Sequence, residues 1–290
     1  MKIGVIFPQT EIGAEAVSIK AYAEGVEKLG FSHVVAYDHV LGADPAVHQG
    51  WSGPYDIRST FHEPMVLFGY LAAAISLELV TGVLILPQRQ TALVAKQAAE
   101  VDLLTGGHFR LGVGLGWNAV EYEALGQSFA GRGTRVAEQV TLLRRLWTEP
   151  TVTQTSAHER MTGVGLAPLP IQRPIPIWFG GNSPLALRRA GRLGDGWFPL
   201  VPPGPELSRA RSEVEHGAVE AGRDPGSLGM EGRASWGEGG AEQLAEQIAR
   251  WREAGASHVS IKTADGGLGP VEGHLAALAA VAAALSIAPG

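Results

Sequence analysis

Residues 79–116 read LVTGVLILPQRQTALVAKQAAEVDLLTGGHFRLGVGLG. Leu79–Leu86 is a nearly continuous apolar run, the pattern of a strand covered on both faces. Leu93–Leu104 has helical periodicity and stops at Gly106-Gly107, a pair suited to a helix C-terminus. Phe109–Leu115 is a second apolar run. Strand, helix and strand in this order make a βαβ unit, whose strands are parallel.

The same unit recurs on both sides. Before it, Lys2–Phe7 and Val34–Tyr37 read as strands, and Glu15–Leu29 and Glu63–Ser76 as helices. An irregular stretch rich in Gly, Pro and Trp, Asp38–Thr60, separates the second strand from its helix. After it, a helix is predicted over Arg132–Trp147. Strands follow at Ile175–Gly180, Gly196–Leu200, Leu228–Arg233 and His258–Lys262, with helices at Pro184–Leu193, Pro205–Ala221, Glu242–Ala254 and Val271–Leu285. Eight strands, each followed by a helix, predict an α/β fold, a (β/α)8 TIM barrel with insertions, as a single domain over residues 1–290. A doubly wound sheet is the alternative. It has fewer units and a Gly-rich turn after its first strand, where this chain has Pro8-Gln9-Thr10. Residues Pro150–Pro174 break the alternation and form an insertion segment, a surface hairpin or a mobile lid.

Composition narrows the chemistry. The chain has no cysteine, which excludes disulfides, zinc–thiolate sites, iron–sulfur clusters and a catalytic thiol. Its net charge is −6 with both signs mixed along the chain, so nucleic acid and anionic membranes are not expected partners. MKIGVIFPQ is too short in apolar residues for a signal peptide, and neither Leu71–Leu86 nor the alanine-rich LAALAAVAAAL at 275–285 reads as a bilayer span. A soluble, cytoplasmic protein is expected. The histidines are scattered without HxH or HxxxH spacing, so no metal is expected. There is no G-x-S-x-G elbow, and Glu121 and Glu123 would face apart on a helix.

A barrel puts its chemistry at the C-terminal ends of the strands. Asp38-His39 closes the second strand, where an imidazole can move a proton and a carboxylate can orient it; the pair can equally cap and pack under the following loop. Gly112–Gly116, GVGLG, either lets two segments pass closely or leaves bare backbone for a flat ligand. Gly180-Gly181-Asn182-Ser183-Pro184 combines helix caps with a proline at the first helical position. Its amides suit a phosphate, although an ordinary capped helix has the same sequence.

Taken together, residues 79–126 and PIPIWFGGNSPLALRRAGRLGDGWFP at 174–199, with Asp38-His39, resemble the bacterial luciferase-like flavin and deazaflavin oxidoreductases. The similarity runs in order along nearly the whole chain, and is greatest to the subgroup using coenzyme F420. The resemblance implies a (β/α)8 barrel with a non-proline cis peptide at Gly82–Val83 supporting the back of the cofactor ring. It implies Asp38 beside the cofactor, His39 as the proton-transfer residue, and Gly114 and Gly116 flanking the ring. Gly180, Gly181, Asn182 and Ser183 would hold the phosphate. Hydride transfer between the deazaflavin C5 and a small organic substrate is the implied reaction. An FMN-dependent monooxygenase and a non-catalytic flavin-binding protein are the alternatives. Sugar-phosphate dehydrogenases of the family carry a Glu where Trp117 stands, and a Lys after the GDG motif, where this chain has Trp197-Phe198. A pocket of Trp117, Trp197 and Phe198 suits an apolar substrate and argues against glucose 6-phosphate. By analogy a homodimer is expected.

Overall fold

In the computed structural model, which describes residues 1–290, the chain runs through the following elements. They are β1 (Lys2–Ile6), α1 (Ala16–Lys28), β2 (His33–Ala36), α2 (Pro64–Leu71), β3 (Glu78–Thr81), β4 (Leu84–Ile85), α3 (Thr91–Leu104) and β5 (Phe109–Gly114). The chain continues through α4 (Ala119–Ala124), α5 (Arg132–Thr148), β6 (Val152–Thr155), β7 (Arg160–Val164), β8 (Ile177–Gly180), α6 (Pro184–Leu193) and β9 (Gly196–Phe198). It ends with α7 (Pro205–Glu220), β10 (Gly229–Ser235), α8 (Gly240–Glu253), β11 (His258–Lys262) and α9 (Val271–Ala284). β3 and β4 are two halves of one barrel strand. All barrel pairings are parallel, in the order β1, β2, β3/β4, β5, β8, β9, β10, β11, and β11 returns to β1 with Lys2 opposite His258. This is a closed eight-stranded α/β barrel. No helix is long and apolar enough to cross a membrane.

The expected third strand, Leu79–Leu86, is broken. β3 stops at Thr81, the Gly82–Val83 peptide bond is cis as the resemblance implies, and β4 passes into a tight turn over Leu86–Gln88. The helix predicted to Ser76 stops at Leu71, and the short α4 was not expected from periodicity. Residues 150–174 contain an antiparallel hairpin, β6–β7, and two cis X-Pro bonds, Ala167–Pro168 and Arg173–Pro174. The hairpin and the segment after it are tied to the outer helices. Arg145 Nη1 donates to Gln154 Oε1 at 3.1 Å, His158 Nδ1 lies 3.0 Å from Glu138 Oε2, and Lys96 Nζ donates to the Ala167 carbonyl at 3.0 Å.

Because side chains alternate along a strand, every second residue fills the barrel. The floor is charged. Arg110 Nη1 meets Glu231 Oε2 at 2.6 Å and its Nη2 meets Glu78 Oε2 at 3.2 Å, while its guanidinium lies 4.2 Å over Trp178. His33 Nε2 reaches Glu231 Oε1 at 2.9 Å. The Trp178 indole fits only because Gly196 and Gly229 have no Cβ, which would strike its ring. Above the floor, Ile6, Val35 and Val80 form an apolar layer, against which Tyr37 and Phe198 pack.

Burial opposes the Glu231 charge, but Arg110, His33 and Ser260 outweigh it and hold the carboxyl far below its usual range. Burial, with Arg110, pushes His258 down to about 4. Replacing Arg110 with Met should cost about 3–5 kcal/mol, because a buried carboxylate then loses its main countercharge; urea unfolding measures this. The pH dependence follows from the two shifts. An unfolded histidine takes a proton near pH 6.5, but His258 resists until about pH 4, so stability falls as pH drops through that window. Glu231 adds a further loss once pH falls below the ordinary carboxylate value of 4.5. Urea midpoints recorded from pH 7 to 4 should decline, and His258→Gln should flatten the decline between pH 6.5 and 4.

Candidate active site

The mouth of the barrel holds a cavity of about 610 Å3. Of the residues singled out from sequence, Asp38, His39, Gly82, Val83, Gly114, Gly116, Trp117, Gly180, Gly181, Asn182, Ser183 and Phe198 all line it. Trp197 does not, which corrects its expected place in the substrate pocket. It neighbours Phe198 on β9, so it points outward, and it is buried in the layer beneath α6 and α7. There it borders a second cavity of about 510 Å3, with Leu187, Val201 and Ala210.

One wall is built from backbone and small side chains. Val83 sits between Gly114 and Gly180; a Cβ on Gly180 would come within 3.0 Å of Val83 Cγ1, and one on Gly114 would also collide with it. Gly116 (φ +65°) and Gly181 (φ +132°) use backbone conformations that other residues rarely adopt. The result is a smooth apolar platform across the ends of β4, β5 and β8.

His39 stands on the adjacent wall, between two buried carboxylates. Asp38 spends both of its oxygens on the protein: Oδ2 accepts from the Ile85 amide at 2.9 Å and Oδ1 from Arg89 Nη2 at 2.8 Å. Burial raises the Asp38 carboxyl above its usual range, although Arg89 and the Ile85 amide pull it down. Arg89 reaches on to Glu63 at 2.8 Å, and Glu63 caps α2 through the Val66 amide. Glu121, on α4, holds the other side. Its Oε1 accepts from the Val40 and Leu41 amides at 2.6 and 3.1 Å. Its Oε2 accepts from Gln88 at 3.1 Å and lies 3.4 Å from His39 Nδ1. Burial raises the Glu121 carboxyl, but these donors more than offset it and bring it below the usual range. The His39 ring meets Tyr55, Phe61 and Trp117 edge-on at 5.1, 4.8 and 5.6 Å between centroids.

At the β8–α6 turn, Ser183 Oγ accepts from the Ala186 amide at 3.3 Å and Pro184 begins the helix. The Gly181, Asn182 and Ser183 amides donate to no backbone carbonyl. Together with the helix N-terminus they can receive an oxyanion. Arg132, at the start of α5, opens on the same cavity and stacks 3.6 Å over Phe129.

Sequence reasoning missed Glu121 as the partner of His39, and Arg132, Tyr37, Tyr55 and Lys262 as cavity residues; Arg233 was read only as a strand-end position. Tyr37, Arg233 and Lys262 lie at strand ends, which was the available signal. Tyr55 lies in a loop and Glu121 and Arg132 on helices, where no periodicity singles them out.

The profile of the luciferase-like monooxygenase family matches residues 1–231. A protein of Mycobacterium tuberculosis is 39% identical over 141 residues, 49% of this chain and 48% of that protein. The F420-dependent glucose-6-phosphate dehydrogenase of Segniliparus rotundus is 30% identical over 215 residues, 71% of this chain and 60% of the enzyme. The matches thus span about half to three-fifths of these relatives' length. Among solved structures, an F420-dependent secondary alcohol dehydrogenase in complex with an F420-acetone adduct superposes with a TM-score of 0.79 at 19% identity, covering 97% of this chain and 98% of the other. With its closed barrel, broken third strand and profile match over most of its length, the chain belongs to the luciferase-like monooxygenase family.

Proposed function

We propose that the protein is a coenzyme F420-dependent oxidoreductase, passing a hydride between the deazaflavin C5 and a small organic substrate. The observation that carries this reading is the convergence, in one cavity, of a flat glycine platform, a row of uncommitted amides and a fixed imidazole. The residues fit such a cofactor. Gly82, Gly114 and Gly116 offer the ring bare backbone around the Val83 side chain, and Gly180–Ser183 with Arg132 offer its phosphate amides and a positive charge. When bound, F420 supplies the hydride chemistry. The Segniliparus relative supports that choice of cofactor.

The chain's own residues supply orientation and a proton. Glu121 fixes His39 through Nδ1, which leaves Nε2 as the atom that gives or takes a proton at the substrate. Asp38 acts beneath the cofactor, by fixing β4 and Arg89. Trp117, Phe198 and Tyr55 exclude water around the reacting atoms. A homodimer belongs to the same reading. It would cover Val66 and Tyr70, which α2 leaves exposed while its other large apolar residues are buried.

Titrating purified protein with F420 and FMN separately, followed by fluorescence, tests the cofactor. F420 should bind with the higher affinity; FMN binding without F420 binding would replace this reading by the flavin monooxygenase one. Replacing His39 with Ala should lower turnover by roughly 10²–10⁴-fold while F420 affinity changes little. Unchanged turnover removes His39 from proton transfer.

A further inference from the structure

We infer that the substrate carries an acidic group, a carboxylate or a phosphate, and that Arg233 and Lys262 receive it. The inference rests on reading the β4–β5–β8 wall as the cofactor platform. In the ring of eight strands, β10 stands opposite β3/β4 and β11 opposite β5. Arg233 lies two residues beyond Glu231, and Lys262 two beyond Ser260, both of which point into the barrel. By strand alternation Arg233 and Lys262 also point inward, one layer higher, and both line the cavity. They face the platform across the mouth, where a substrate must lie to meet the free face of the ring.

The charge there is only partly claimed. Asp38 is the sole carboxylate lining the cavity, and it is committed to Arg89 and Ile85. Lys262 has one partner, Asp265, three residues on and 75% exposed. The exposed Arg233 side chain makes no hydrogen bond or ion pair within the chain; its carbonyl accepts from the Trp251 indole. The Tyr37 hydroxyl lies buried without a partner, in a side chain that lines the same cavity. On the proposed reading the cofactor phosphate sits at the β8–α6 turn with Arg132 of α5, so it does not account for this pair. A free guanidinium, an ammonium and a phenol match an oxyanion, while Tyr55, Trp117 and Phe198 match an apolar body. The expected substrate is therefore amphipathic, an extension of the apolar pocket read from sequence.

Three aromatic probes test the inference: benzoate, phenyl phosphate and neutral benzamide. They are titrated into F420-loaded protein by deazaflavin fluorescence and into cofactor-free protein by calorimetry. At least one acid should bind at least tenfold more tightly than benzamide, and the tighter acid assigns the group. Arg233→Met and Lys262→Met should each weaken that acid at least tenfold, with benzamide and F420 affinities and the thermal midpoint unchanged. Equal binding of acids and benzamide, unchanged acid affinity in both variants, or a loss of F420 affinity in their place would overturn it. Charge-dependent acid binding in protein that does not bind F420 would overturn the cofactor reading and support the acid subsite.

Discussion

Asp38 is a buried carboxylate whose two oxygens are both spent on the fold, and the geometry of the mouth depends on that commitment. One oxygen accepts from the Ile85 amide, joining the end of β2 to β4 just beyond the break in the third strand. The other takes Arg89, which passes the tie to Glu63 and so to the first turn of α2. A carboxylate taken out of water is stable only when partnered in this way. Glu121 repeats the device from the opposite side, gathering the Val40 and Leu41 amides and Gln88. His39 follows the first clamp in the chain and meets the second through space, at Glu121 Oε2.

The barrel interior is divided by height. Its floor is an ionic layer, Glu78, Arg110 and Glu231, with His33 and Trp178. Its middle is a thin apolar layer, Ile6, Val35 and Val80. Its mouth combines glycines on one wall with polar groups on the other. The apolar layer insulates the mouth from the floor, whose charges are already paired. The cationic groups that face the cavity are Arg132, Arg233 and Lys262, opposite the Asp38 carboxylate. That separation agrees with the general division in such barrels between a stabilising bottom and a functional top.

Much of this was legible in the sequence, because helix and strand periods are local properties. β1, β2, β5, β8 and β11 fall close to their expected positions, and α6 spans the expected Pro184–Leu193. The Gly180–Ser183 turn was legible for the same reason, since caps and a first-turn proline are local signals. The break at Gly82–Val83 was not written in periodicity; only the resemblance pointed to it. Trp197 was misplaced because a short strand gives its inward and outward residues equal hydrophobicity, and neighbouring strands decide which face is which. Glu121 was read as the limit of the loop after the fourth strand and against Glu123, whereas its partners lie some 80 positions away. Contacts of that kind depend on barrel closure, which no short window of sequence contains.

The long stretch after β2 gains its meaning from the same closure. As sequence it is a run of Gly, Pro and aromatic residues without a period. In the fold it returns over the mouth, where Tyr55 and Phe61 close around His39 and Trp51 packs against Trp117 at 5.6 Å. Gly53 lies between those two indoles, where any Cβ would collide with both. The imidazole thus has a carboxylate on one side and aromatic edges on the others. The aromatic surround limits the contact of its ring with water, and Glu121 faces Nδ1 at 3.4 Å. The placement of the imidazole is thus set by loop packing as much as by the barrel itself.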